Sequence, residues 1–178
     1  LMVDEIQATK RHNYQLLFHT HPEIVVRAGE NDRVILGTTT DTASLHLIPV
    51  DPKNVKISRL TGSETPIQGW SSVDHHHKRA STAVNFEREN AVSTVLATLL
   101  YPFPAGETDD EVKIEPLEFS SGKGLAYVVN TYRGRDYLMF SHDKALKKFG
   151  KYRSKGIVAG IRTNKNDEIL TQFELNGS

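Results

Sequence analysis

The sequence has no cysteine, and this absence sets the first limits on its chemistry. Without cysteine, the chain has no disulfide, no thiolate nucleophile and no thiolate ligand for a metal ion. The cellular compartment stays open, because an exported protein can also lack disulfides. With 178 residues, the chain is long enough to bury a sizeable core without cross-links, and the length predicts a single domain over residues 1–178.

An excess of one charge is also lacking. Lysine and arginine together number 22, aspartate and glutamate together number 22, and the charges are scattered along the chain. Binding to nucleic acid or to a membrane surface therefore has no electrostatic support, and we expect neither partner. A local basic groove for an acidic polymer remains compatible with this balance.

Long apolar runs and an export signal are missing as well. The longest apolar stretch, Ala91–Tyr101, is too short to cross a membrane. The segment Leu1–Ile6 has no basic region, no apolar region and no small-residue cleavage site of the kind found in signal peptides. Because the sequence starts on leucine, we expect it to be a fragment of a longer chain.

What the sequence does contain is a succession of short, strand-like segments separated by turn residues. The segments before Gly37 predict a β-meander, and Ala91–Tyr101 predicts a central strand buried on both faces. Two later hairpins are predicted, one across Arg133–Arg135 and one across Asn164–Asp167. Apart from one short helical turn over Lys144–Phe149, the pattern predicts an all-β fold, an antiparallel β-sandwich of roughly a dozen strands with little helix.

Two clusters of metal-binding residue types are present. His19 and His21 share one face of a strand and would bind zinc if a third ligand came from elsewhere, for example from the loop Asp74–His77. The alternative is that both histidines face solvent or bond to the sheet. The acidic run Asp109–Glu111 suits calcium or simply a soluble loop. From the residues alone, we assign no metal ligand and no cofactor.

The strongest candidate site surrounds the single tryptophan. An aromatic platform beside cationic donors suits an anionic sugar, because the ring stacks on the sugar face while the cations meet carboxylate or sulfate. The alternative is a tryptophan at the edge of the sandwich followed by a solvated loop. No phosphate-binding glycine loop, nucleophile elbow or zinc-protease helix is found, so no catalytic residue is assigned. The predicted substrate-binding residues are Trp70, His75, His77, Lys78 and Arg79.

Several short motifs occur in an order that resembles the C-terminal β-sheet domain of the heparinase II/III-like polysaccharide lyases. The similarity covers roughly residues 10 to 105 of this sequence, and residues beyond it match only as further strands. The motifs are His12-Asn13-Tyr14-Gln15-Leu16-Leu17-Phe18-His19 with His21-Pro22, then Leu45-His46-Leu47, Gly69-Trp70-Ser71-Ser72 and Thr98-Leu99-Leu100-Tyr101-Pro102.

This resemblance implies a larger bacterial enzyme, secreted or periplasmic, in which an N-terminal α/α toroid precedes the β domain. An acidic, uronate-containing polysaccharide such as a glycosaminoglycan would lie between the two and be cleaved by β-elimination. The family's catalytic tyrosine lies in the toroid, and its early β-domain histidine precedes the matching region, so no catalytic residue is carried over here. Some members hold zinc in the β domain, which makes zinc possible in the full-length enzyme.

Three hypotheses follow. In the first, the chain is the C-terminal part of such a lyase, inactive alone, with its own missing toroid and the acidic polysaccharide as partners. In the second, it is a free-standing, non-catalytic carbohydrate-binding β-sandwich. In the third, it is a self-contained zinc enzyme built from His19, His21 and the loop Asp74–His77.

Overall fold

The computed structural model describes residues 1–30, 32–38, 43–104, 112–119 and 124–176, and it confirms the all-β prediction. Strands make up 68% of these residues and helix 2%, the latter as one 3-10 turn, Pro52–Asn54. Eleven of the nineteen strands in this part of the chain are five or more residues long. The strands are β1 (Met2–Ile6), β2 (His12–His19), β3 (Val25–Ala28), β4 (Val34–Gly37), β5 (Ala43–Pro49), β6 (Lys56–Thr61), β7 (Ser63–Glu64), β8 (Ile67–Gln68), β9 (Trp70–Asp74), β10 (His77–Ala80), β11 (Thr82–Ala91), β12 (Thr94–Pro104), β13 (Lys113–Pro116), β14 (Gly124–Thr131), β15 (Gly134–Ser141), β16 (Lys147–Phe149), β17 (Tyr152–Ser154), β18 (Val158–Asn164) and β19 (Ile169–Leu175).

The chain divides into two compact units, residues 1–107 and residues 108–178. The boundary falls within the polar stretch after Pro104, where the sequence predicts a long connection between strands. That both units form one domain stays a prediction.

Unit 1, residues 1–107, contains two main antiparallel sheets. The larger has the strand order β1-β12-β5-β4-β3, and the smaller has the order β2-β11-β6. Two short ribbons, β7-β8 and β9-β10, are inserted between β6 and β11. This arrangement of two sheets gives unit 1 the sandwich character that the alternating apolar pattern predicts.

The core of unit 1 draws its side chains from both of these sheets. Val34 and Leu47 come from the larger sheet, and Val84 and Phe86 come from the smaller one, all at most 2% exposed. Phe18 packs against Phe86 with ring centroids 5.6 Å apart in an edge-to-face arrangement. Alternate residues of each strand thus supply the inner face, as period-two burial requires.

The predicted central strand is confirmed. β12 lies between β1 and β5, and it buries neighbouring residues that point to opposite faces, Thr98 at 1% exposed and Leu99 at 6%. The strand begins at Thr94 rather than at Ala91, because Ala91 ends β11 and Val92-Ser93 form the turn between them.

Within the predicted meander, only the pairing of β3 with β4 is correct. β1 pairs with β12 and β2 pairs with β11, so the first two strands belong to different sheets. Their partners lie more than sixty residues away in the sequence, a separation that local alternation and turn residues do not encode.

Unit 2, residues 108–178, contains one five-stranded antiparallel sheet with the order β13-β14-β15-β18-β19 and a ribbon, β16-β17. Both predicted hairpins are present, as the pairs β14-β15 and β18-β19. Its hydrophobic cluster joins strands β14, β15 and β18 to the ribbon through buried Ala126, Val128, Tyr137, Met139, Phe149 and Ala159.

The short helical turn predicted over Lys144–Phe149 is wrong. Lys147–Phe149 form strand β16, in which Lys147 and Phe149 are buried while Lys148 is exposed. That alternation has the period of a strand, and pairing with β17 overrides the local helix preference. The Lys147 ammonium bonds to the Asp143 carboxylate at 2.6 Å.

Candidate functional site

All five predicted substrate-binding residues lie on one hairpin of unit 1, formed by β9 and β10. The two strands pair antiparallel, with Trp70 opposite Ala80 and a register irregularity between His77 and Lys78. The turn contains His76, whose positive φ of 67° lies in the left-handed region. Exposed side chains dominate β10, which places the hairpin at the surface of the unit.

Gly69 fixes the base of the hairpin to the residues that flank strands β6 and β11 of the smaller sheet. Its carbonyl accepts hydrogen bonds from the backbone N–H groups of Gly62 and Ser81, both at 2.9 Å. Gly69 has a φ of 73°, and a Cβ added there would lie 2.3 Å from the Leu60 carbonyl oxygen. Only glycine fits this approach of two backbones, so the residue before Trp70 determines how the hairpin leaves the sheet.

Trp70 is held by its edge and covered on one face. The ring is half-buried, and its Nε1–H donates to the Ser63 carbonyl at 2.9 Å. The Lys78 ammonium lies 3.9 Å from the ring centroid, a cation–π contact, and donates to Glu64 Oε1 at 3.0 Å. The aromatic platform predicted from the sequence therefore already carries a cation of its own.

The hairpin brings some of the predicted residues together and separates others. Trp70 and Lys78 share one face, since Lys78 pairs with Ser72 and Ser72 is two residues from Trp70. Arg79 pairs with Ser71 and so points to the opposite face. The Arg79 side chain makes no hydrogen bond or ion pair within the described part of the chain.

The two histidines of the predicted set lie at the turn. His77 Nδ1 bonds to the Asp74 carboxylate, and both side chains are exposed. The His75 ring contacts the His76 ring with centroids 4.0 Å apart. When protonated, these imidazoles add positive charge at the tip of the hairpin, beyond the tryptophan.

The ion pair between Lys78 and Glu64 is open to exchange. The two side chains are 57% and 66% exposed. Ion pairs that exposed are worth only about 0–1 kcal/mol, because water solvates both partners well. An incoming carboxylate or sulfate can therefore take the place of Glu64 at low cost, while the ammonium stays near the indole ring.

Glu64 is not among the residues that the sequence predicts for the site, because Thr61–Thr65 has the composition of a loop. The structure forms a two-residue ribbon there, β7-β8, which carries Glu64 to within hydrogen-bond distance of Lys78. The only signal in the sequence is the proximity of an acidic residue to the tryptophan, and many surface loops share it.

A second polar groove lies at another end of unit 1. Its volume is about 670 Å³, and it carries both positive and negative side chains. Lys56 binds Glu89 at 3.2 Å, and Arg88 donates to the Asn54 carbonyl at 3.0 Å. The charged side chains that line it are Arg11, Lys53, Lys56, Glu87, Arg88 and Glu89.

The described residues provide no set of zinc ligands for the third hypothesis. Within residues 1–30, 32–38, 43–104, 112–119 and 124–176, no three His, Asp or Glu side chains are grouped to hold a metal ion. His21 Nδ1 accepts a hydrogen bond from the Glu23 backbone N–H at 3.3 Å, and His19 is exposed at the end of β2. The acidic run Asp109–Glu111 lies outside the described residues.

Comparison with known proteins adds no identification. No family model matches the chain, and the search of curated proteins finds no match. Among the described residues, no helix has the length and apolar character needed to cross a membrane.

Proposed function

We propose that this chain is the C-terminal β-sheet part of a secreted or periplasmic polysaccharide lyase that resembles the heparinase II/III-like enzymes. In this role unit 1 forms one wall of the cleft that binds an acidic, uronate-containing polysaccharide. The catalytic acid and base lie outside this chain, the tyrosine on the toroid that the resemblance implies and the histidine in an earlier part of the β domain. The order of the motifs from His12 to Pro102 and the sandwich character of unit 1 support the proposal.

The observation that carries the binding role is the contact between Lys78 and Trp70. A sugar ring that packs beside the indole brings its carboxylate or sulfate toward the ammonium, which exchanges Glu64 for the polymer. Arg79 adds a cation on the opposite face of the same hairpin. A chain of repeating anionic sugars extends past the strand and reaches His75 and His77 at the turn.

β-Elimination needs a base to remove the C5 proton of the uronate and an acid to protonate the leaving oxygen. The hairpin supplies neither in a defined position, since its histidines lie at an exposed turn and one of them is bonded to Asp74. Its contribution is to bind and orient the polymer. We therefore expect this chain alone to bind acidic polysaccharide and to leave it uncleaved.

A second candidate function is a free-standing, non-catalytic carbohydrate-binding module. The observation in its favour is that Trp70, Lys78, Arg79 and Glu64 all belong to unit 1, so the binding groups need no second protein. The two functions differ in what precedes the chain in its gene. A lyase requires an upstream, in-frame region with helical periodicity.

The test uses purified chain with alginate, heparan sulfate and a neutral glucan. We expect binding to at least one acidic polymer, weakening as salt increases, with no unsaturated uronate product by ultraviolet absorbance. Failure to bind any acidic uronate polymer contradicts the binding role. Turnover by the purified chain contradicts the placement of the acid and base elsewhere. Turnover by the product of the complete gene supports the lyase over the binding module.

A further inference from the structure

We propose that strand β19 of unit 2 pairs antiparallel with β19 of a second copy of this chain, so that two five-stranded sheets join into one. The inference concerns self-association and is independent of polysaccharide binding. It rests on the exposure of the strand, the direction of its backbone groups and the way its sequence matches itself.

β19 is an edge strand with unusual apolar exposure. Every residue of the strand is exposed, and four of its seven side chains are large and apolar. An edge strand of this kind presents unpaired backbone groups to any strand that can reach it. The exposed apolar residues are Ile169 at 52%, Leu170 at 59%, Phe173 at 47% and Leu175 at 58%.

The opposite edge of the same sheet carries the usual protection. β13 has four residues, begins with Lys113 and ends with Pro116. Lysine and proline on a short edge strand discourage pairing with another chain. β19 has neither residue, and its one charged side chain is Glu174, which accepts a hydrogen bond from Ser154 Oγ of its own chain.

The backbone of β19 is aligned for such pairing. The Leu175 carbonyl accepts a hydrogen bond from the Ile157 N–H at 2.8 Å, so it points into its own sheet. Because backbone groups alternate in direction along a strand, those of Phe173 also point inward and those of Gln172 and Glu174 point outward. A two-fold axis at Phe173 then places Gln172 of one copy opposite Glu174 of the other, with four backbone hydrogen bonds between them.

This register also matches the side chains. Phe173 faces its own counterpart in a non-hydrogen-bonded pair, where cross-strand side chains are closest. Thr171 faces Leu175, and Gln172 faces Glu174, so no like charges meet. The Phe173 ring already lies over Gly160, where an added Cβ would be 2.3 Å from Cε1, and its position at the strand is therefore held before pairing.

The partner that fits best is thus a second copy. A strand pair of this length is smaller than the interface of a tight dimer, so we expect a dimer that dissociates on dilution. Sedimentation of the purified chain over a concentration series should show a monomer–dimer equilibrium. A monomer at every concentration up to the solubility limit overturns the proposal.

The absence of cysteine makes a direct test possible. In the proposed register the two Phe173 Cα atoms are about 4.5 Å apart, within the range that a disulfide spans. Phe173→Cys should form a disulfide-linked dimer with oxidised glutathione at least about tenfold faster than Ile67→Cys, because pairing raises the local thiol concentration. Ile67, 76% exposed on β8 of unit 1, is the matched control. Equal rates overturn the proposal.

A second variant tests the backbone. Gln172→Pro removes an N–H that points away from β18, so it leaves the sheet within each chain intact while deleting two hydrogen bonds between copies. We expect the dissociation constant to rise about tenfold or more. A dimer that forms unchanged in this variant uses another surface and contradicts the pairing of β19.

Discussion

The two units build an all-β fold in different ways. Unit 1 collects its core from two sheets, and Val84 and Phe86 of the smaller sheet are at most 1% exposed. Unit 2 has one main sheet, whose described cluster joins three strands to the ribbon β16-β17 and leaves β19 exposed. The same alternating pattern therefore supports burial in one unit and leaves an apolar edge strand at the surface in the other.

Apolar residues in strands have two different environments in the two units. In β11 an apolar residue marks a position that packs against a second sheet, and in β19 it marks a position available to another molecule. The strand pattern alone does not distinguish them, because both segments alternate and both contain phenylalanine. The difference comes from the number of layers around each strand.

The largest expected effect comes from removing a core side chain of unit 1. Phe86→Ala should lower the free energy of unfolding by about 3–5 kcal/mol, because it leaves a cavity among Phe18, Val34 and Leu47. Leu170→Ala, on the exposed strand β19, should cost about 1 kcal/mol or less. Denaturant titration in dilute solution measures both values. Similar losses of unfolding free energy in the two variants would contradict the distinction between buried and exposed apolar strands.

A smaller effect is expected at the Asp143–Lys147 pair of unit 2. The hydrogen bond from the Lys147 ammonium and a second one from the Ala145 N–H hold the pKa of Asp143 below its ordinary value of 3.8. A carboxyl whose pKa is lower in the folded chain than in the unfolded chain stabilises the fold above its ordinary pKa. That contribution is lost as the pH falls through the lower, folded value.

Asp143→Asn should therefore lower the melting temperature at neutral pH. The difference in melting temperature between this variant and the unaltered chain should narrow as the pH falls below about 4. Asp4→Asn, at an exposed carboxylate of β1, provides the control and should shift the melting temperature little at any pH. Thermal unfolding followed by circular dichroism over a pH series measures both. If the difference in melting temperature between Asp143→Asn and the unaltered chain stays constant with pH, the role given to the ion pair is contradicted.

The fold class was predictable because alternation, turn residues and the lack of helical periodicity are local. The hairpin across Asn164–Asp167 and the strand around Leu99 were predicted for that reason, and both are confirmed. The pairing of strands that are far apart in the sequence, such as β1 with β12, was not predictable. The strand at Lys147–Phe149 was also missed, because a buried lysine masks the apolar alternation that identifies such a segment.

The sequence indicated which residues are neighbours in the candidate site, but not how their side chains are arranged. Trp70, Lys78 and Arg79 are close in the sequence, and in the structure they lie on one hairpin. The sequence did not show that Lys78 covers the indole, that Arg79 points to the other face or that Glu64 competes for the ammonium. These features depend on the strand register and on the ribbon β7-β8, which carry no distinctive local pattern.

The measurement that tests the proposed binding site most directly is a calorimetric titration of the chain and of Glu64→Gln with the same acidic polysaccharide. Because Glu64→Gln frees Lys78 from its exposed partner, affinity should rise about two- to fivefold, in line with an ion pair of up to about 1 kcal/mol. Lys78→Ala should weaken binding, and Lys10→Ala, an exposed lysine outside the hairpin, should change it little. Weaker binding by Glu64→Gln, or unchanged binding by Lys78→Ala, would contradict the assignment of this hairpin as the polysaccharide site.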